Sequence, residues 1–278
     1  MEISDSGNTN ITLTPPLQEA SPQSFSPNNP PWNGWTALGL WAASVFLLFF
    51  FANVFLGTYL SLLKFDASDH ARFNEFILND PQAVLLQILG VFPAHLLTLA
   101  LAWAIVTKNR EYGFREMLGW NMGGFRIWHA LILVVLFFAL AIVFTLIFGK
   151  VENDFEVMLK SSKWIIIPVS IMAVFTAPVV EEVVYRGVLY SAFRRRFGVS
   201  SAIIFITLLF ASIHVLQYSQ KSVPDYGVML TILLLSLTLT AIRERTGNLL
   251  PCIILHMVFN GFQAVLMILA RFAPGPNS

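Results

Sequence analysis

What this sequence lacks excludes most classes of protein at once. Charge is scarce: Asp, Glu, Lys and Arg make up 12% of 278 residues, against roughly 25% in an ordinary soluble domain. The net charge is +1, too little for a basic face that grips nucleic acid, so no nucleic-acid partner is expected. Cys252 is the single cysteine, which excludes an intramolecular disulfide. The first 33 residues hold no Lys or Arg and no apolar core segment, which argues against a cleavable secretory signal. They are mostly Ser, Thr, Asn and Pro, and 1–33 reads as a disordered polar tail. Internal repeats and a second domain are also lacking. Residues 34–278 read as one body.

What is present is apolar. Hydrophobic residues reach 56%, with 25 Phe and 7 Trp, and the mean hydropathy is +0.69. That is more apolar surface than one water-soluble core can hide. Residues 20–63, 81–107, 127–149, 164–180, 197–220, 226–242 and 246–270 carry no Asp, Glu, Lys or Arg. A helix crossing the membrane needs about 20 mostly apolar residues. The runs predict seven spans, near 36–63, 82–107, 126–149, 164–192, 200–217, 226–243 and 249–270. An eighth follows if 64–81 or 113–124 folds back into the membrane. The run Leu131 to Leu136 has no polar alternate, which excludes a β-barrel. The fold class is all-α, a polytopic transmembrane helix bundle.

Seven spans put nine Lys and Arg residues on one face and seven on the other. The richer face carries Lys108, Arg110, Arg115, Arg126, Arg194, Arg195, Arg196, Arg243 and Arg245; the poorer carries Lys64, Arg72, Lys150, Lys160, Lys163, Lys221 and Arg271. The positive-inside rule places the richer face and the amino terminus in the cytoplasm. Arg194 to Arg196 read as interfacial anchors that snorkel to head groups. Trp residues near the span ends read as an aromatic belt.

The informative residues are the polar ones inside the spans, because ionisable groups at membrane depth pair, face a wet cavity or do chemistry. The fourth span holds Glu181, Glu182 and Arg186, the fifth His214, and the seventh His256 and Asn260. Glu182 and Arg186 stand four apart, the spacing of a helical ion pair. Glu181 points about 100° away and has no cation in its own helix. At ~1.5 Å per residue, Glu181, His214 and Asn260 lie roughly 21–22 Å from the arginine-bearing face and His256 roughly 16 Å. All four can meet in one layer. Pro178 predicts a kink one turn before Glu181, with the Val174 carbonyl left without its helical donor. Such irregular backbone suits a cavity wall. His95 and His129, each alone in an apolar stretch, read as packed or interfacial side chains, and Gly187 as a site of close helix packing.

Glu181-Glu182-Val-Val-Tyr-Arg186, Phe210-Ala-Ser-Ile-His214 and His256-Met-Val-Phe-Asn260 resemble the three motifs of the CAAX protease and bacteriocin-processing family, with its type II CAAX prenyl endopeptidases. The resemblance covers about residues 160–265, with Leu118-Gly119-Trp120 as a weaker echo upstream. It implies an intramembrane endopeptidase acting on membrane-anchored peptides or proteins, either CAAX-type tails or leader and bacteriocin-type peptides, in a prokaryotic plasma membrane. Glu181 would activate water, His214 would hold that water or share its proton, and His256 and Asn260 would stabilise the oxyanion. Glu182 and Arg186 would fix the helix and the charge state of Glu181. No cofactor is favoured; zinc held by Glu181, His214 and His256 is the alternative, although H-E-x-x-H spacing is absent. A non-catalytic immunity or scaffold protein and a proton-coupled transporter are the other readings. The transporter predicts repeated halves that the sequence does not show.

Overall fold

The computed structural model describes residues 25–151, 153–217, 219–220 and 223–273. Residues 1–24, most of the expected polar tail, lie outside the described residues, as does Lys221. The helices are α1 (Gly34–Leu62), α2 (His70–Asn79), α3 (Pro81–Thr107), α4 (Phe114–Leu118), α5 (Ile127–Phe148), α6 (Asp154–Lys160), α7 (Ile166–Phe197), α8 (Val199–Gln217), α9 (Tyr226–Thr246) and α10 (Leu250–Phe272). Six of them are long and apolar enough to cross a membrane, and Val199–Val215 of α8 is a shorter apolar helix. Six of the seven expected spans thus have spanning length, and the shorter apolar helix stands where the fifth was expected. The two segments that could have supplied an eighth are short: α2 has ten residues, none buried, and α4 has five.

Local chemistry sets the helix starts. Asp80 accepts from the Gln82 and Ala83 amides at 3.1 and 2.8 Å, and Pro81 at the first helical position needs no donor there. Asn33 caps α1 through the Thr36 amide, and Asp225 caps α9 through the Val228 amide. Helices α1 and α3 pack backbone to backbone at Gly90, where an added Cβ would stand 2.8 Å from the Phe51 carbonyl oxygen.

The main core gathers around the carboxy-terminal half of α7. Val183, Val184, Val188, Leu189 and Tyr190 pack with Ala37 and Leu40 of α1, Val106 of α3, Leu118 of α4, Ile206 and Phe210 of α8, and with Leu249 and Ile253. Outward-facing Leu131, Ile132, Val135 and Leu136 of α5 are exposed, as expected of a surface that meets lipid.

One expectation needs correction. Residues 25–33 are part of the fold, although the leader reads as a disordered tail through residue 33. Buried Arg243 donates to Asn28 Oδ1 at 2.9 Å and to the Pro27 carbonyl at 2.8 Å. Arg195 donates to the carbonyls of Pro30 and Trp32, and the Trp32 indole N–H to the Val188 carbonyl at 3.0 Å. The polar segment is thus fixed by arginine donors and by a carbonyl of α7. The anchor reading of Arg194–Arg196 changes for the same reason: Arg194 forms a two-point pair with Glu244 at 2.6 and 2.9 Å, and Arg196 remains exposed.

Candidate active site

Helix α7 is interrupted twice, and the interruptions bracket the two glutamates. It runs as π-helix over Met172–Thr176, returns to α-helix over Ala177–Glu182, and is π-helix again over Val183–Leu189. Short π segments inside α-helices recur at functional sites. The first segment shows how Pro178 acts. The Ala177 amide bonds the Met172 carbonyl, a five-residue step. In that register the proline nitrogen, which has no hydrogen, stands opposite Ala173. The carbonyl expected to lose its donor was that of Val174; the π register moves the loss to Ala173. Asn260 fills it, with Nδ2 donating to the Ala173 carbonyl at 2.8 Å.

Glu182 and Arg186 form the predicted ion pair, with Nη1 and Oε1 3.0 Å apart and both side chains fully buried. A buried guanidinium needs its remaining donors satisfied, and α9 supplies the acceptors. Arg186 Nη2 donates to the Ser236 hydroxyl at 2.7 Å and the Ser236 carbonyl at 3.1 Å, and Nε to Thr240 Oγ1 at 3.3 Å. The Phe210 ring lies 4.5 Å from the guanidinium carbon, within cation–π range. Arg186 therefore ties α7 to α8 and α9.

Between the two glutamates lies His256. Its Nδ1 is 2.9 Å from Glu182 Oε1, and its Nε2 is 3.8 Å from Glu181 Oε2. Successive helix residues diverge by about 100°, so one imidazole from α10 can meet both carboxylates on opposite edges of its ring. Glu182 Oε1 also accepts from Arg186, which puts the proton of the shorter contact on His256 Nδ1. The three environments differ. Glu182 is fully buried and His256 is 5% exposed, whereas Glu181 is 27% exposed. Of the two carboxylates, only Glu181 is open to water or a substrate.

His214 joins through Phe210. Its ring lies 4.6 Å from the Phe210 ring, which stands 6.2 Å from His256 and 5.0 Å from Tyr185. His214 Nδ1 is 2.8 Å from the Phe210 carbonyl, an acceptor only, so Nδ1 carries the proton and Nε2 is the basic nitrogen. The structure therefore brings together Glu181, Glu182, Arg186 and His256, links His214 to them through an aromatic wall, and seats Asn260 one turn from His256.

Sequence reading missed two supports of this site. Ser236 and Thr240, on α9, stand four apart as acceptors for Arg186, and that spacing was the available signal. His95, read as a packed side chain, is buried but bonded: its Nδ1 lies 3.0 Å from Thr176 Oγ1. Leu118 and Gly119, upstream of the three motifs, touch the site's surroundings. Leu249, in the loop before the third motif, donates its amide to the carbonyls of Leu118 and Gly119 at 3.2 and 2.8 Å. Gly187 packs as expected, since a Cβ there would stand 3.0 Å from the Leu118 side chain.

Together, bundle and cluster define an integral membrane protein with a buried Glu–His–Arg constellation at membrane depth. The stretch that holds it, residues 163–262, matches the family model described as type II CAAX prenyl endopeptidase Rce1-like. That match supports a protease of the CAAX type and agrees with the motif resemblance. No curated protein and no solved structure matches the chain.

Proposed function

We propose that the chain is an intramembrane endopeptidase that hydrolyses peptide bonds of membrane-anchored substrates, CAAX-type tails or leader-type peptides, with water activated by Glu181. The observation that carries this reading is the His256 imidazole held between a buried carboxylate and an accessible one. A water seated at the 3.8 Å gap can touch both Glu181 Oε2 and His256 Nε2, the reach a general base needs. Glu181 takes a proton from the water as its oxygen attacks the scissile carbonyl carbon. The C–N bond then breaks, and the proton held by Glu181 passes to the leaving amine. Glu182 orients His256 and fixes its tautomer, the role a carboxylate plays toward a catalytic histidine. Asn260 has a second Nδ2 hydrogen beyond the one on Ala173 and can donate it to the oxyanion, while His214, whose Nε2 is the basic nitrogen, can hold the water or share its proton.

A metal-free mechanism is part of the proposal. The zinc alternative needs Glu181, His214 and His256 as one ligand set. Among the described residues no three His, Cys, Asp or Glu side chains gather in that way. That arrangement supports hydrolysis without zinc. Elemental analysis of active protein and activity after exhaustive chelation test this. Activity that survives chelation is expected; one tightly held zinc per chain, with activity lost on removal and restored by zinc alone, would overturn it. In this reading the arginine-bearing face is cytoplasmic.

Comparative proteomics of cells carrying the intact protein or Glu181→Ala tests the function. Membrane-protein fragments that vanish with the variant are expected. Identical fragment sets would remove the peptidase reading.

A further inference from the structure

His95 belongs to none of the three motifs, yet it occupies a demanding position. It stands 14 residues after Pro81 and 12 before Thr107 on α3, roughly 20 Å from either end at ~1.5 Å per residue. That is the middle of the span, where an ionisable side chain marks a functional site by default. It is 6% exposed. Its Nδ1 lies 3.0 Å from Thr176 Oγ1, and Thr176 Oγ1 lies 3.3 Å from the Met172 carbonyl. A hydroxyl has one proton. With that proton directed to Met172, the Nδ1 hydrogen of His95 donates to Thr176.

Thr176 closes the π segment Met172–Thr176, and the same segment is bonded from the opposite partner by Asn260 on Ala173. The segment is therefore gripped by side chains of α3 and α10. What it controls follows from helix geometry. A π turn takes up one residue more than an α turn, and one residue is about 100° of rotation. Glu181 lies five residues beyond Thr176, at the end of the α-helical piece Ala177–Glu182. Relaxation of the π turn to α-helix would swing Glu181 away from His256 by about that angle.

We propose that His95, acting through Thr176, is a positioning residue for Glu181: with Asn260 it locks the π turn, and so the rotation that aims Glu181 at His256. The inference rests on the reading of Glu181 as general base. The test uses full-length parent, His95→Ala, His95→Asn, Thr176→Val and Glu181→Gln in lipid nanodiscs. Asparagine places an amide N–H where the histidine has Nδ1, and valine keeps the shape of threonine without its hydroxyl. Hydrogen exchange of Met172–Glu182 is read first, then cleavage of a farnesylated CAAX-type peptide with a fluorescent reporter.

His95→Ala and Thr176→Val should speed exchange in Met172–Glu182 while leaving α1 unchanged. They should lower kcat at least tenfold at near-constant KM, since a displacement of about 1 Å can cost about 10²-fold. His95→Asn should restore most of both. Parent-like exchange in the first two variants overturns the proposal, as does a loosened turn with unchanged kcat, or an asparagine variant as impaired as alanine. If Glu181→Gln cleaves the peptide at the parent rate, the general-base reading falls instead, and exchange still decides whether His95 locks the turn.

Discussion

Helices α5 and α7 are opposite extremes of this bundle. In its most apolar window α5 is 11% buried, whereas α7 is 39% buried. The most apolar span is thus among the least enclosed, and the span with two glutamates and an arginine lies deepest. In a soluble protein the order would be reversed. Apolarity in a bilayer reports the solvent a helix faces, while its interior accepts polar groups that pair with one another. Leu131, Val135, Leu136 and Ile142 of α5 need no partner beyond lipid. Glu182, Arg186 and Ser191 of α7 are fully buried, and each bonds another group. The comparison also explains why irregular backbone occurs in α7: π segments leave carbonyls that only neighbouring side chains can satisfy.

The sharpest way to break this contrast is to remove one charge from α7. Glu182→Ala or Arg186→Ala strands its partner in a dry interior, and about 3–5 kcal/mol of destabilisation is expected from such a loss. Detergent unfolding measures it. Replacing both residues by leucine should recover much of the stability but none of the activity, because His256 then loses the carboxylate that orients it. If Arg186→Ala melts like the parent, the ion pair does not hold the core.

A smaller effect is expected where two backbones meet. In Gly90→Ala the new methyl presses on Phe51 and Ala52 of α1, and such overpacking costs about 1–3 kcal/mol. Thermal melting in micelles checks it. Smaller again is Trp32→Phe, which removes the donor to the Val188 carbonyl; about 0.5–1.5 kcal/mol is expected, with faster exchange confined to Val183–Leu189 and residues 25–33. Least of all is Leu136→Ala on the lipid face of α5, expected within about 0.5 kcal/mol of the parent. A loss there as large as that at Gly90 would mean that α5 is covered by a partner.

The same contrast marks what was legible in the sequence. Helix positions and order followed from charge-free runs, because lipid exposure requires them, although only six of the seven have spanning length. The pairing of Glu182 with Arg186 followed from their spacing; the layer shared by Glu181 and His256 followed from approximate depth, but not their direct approach. Backbone register did not. A π turn has the same residue types as an α turn, so Pro178 pointed to Val174 and the orphaned carbonyl belongs to Ala173. Asn260 consequently has a bond that its motif position does not disclose. Arg243 was counted among face charges, but it is buried, because its partners come from residues 27 and 28, more than two hundred positions away. The docking of residues 25–33 was hidden for the same reason: a polar segment reads as solvated until its distant donors are known.

Catalysis as proposed turns on Glu181, the accessible carboxylate aimed at a histidine fixed by a buried one, as the base that activates water. The most direct measurement compares parent and Glu181→Gln, purified in nanodiscs, on the farnesylated CAAX-type peptide, with melting curves of both proteins. Glutamine keeps shape and polarity but cannot take the proton. The account predicts a fall in kcat of about 10²–10⁴-fold with an unchanged melting temperature. Cleavage within about tenfold of the parent, below the loss expected of a general base, would contradict it.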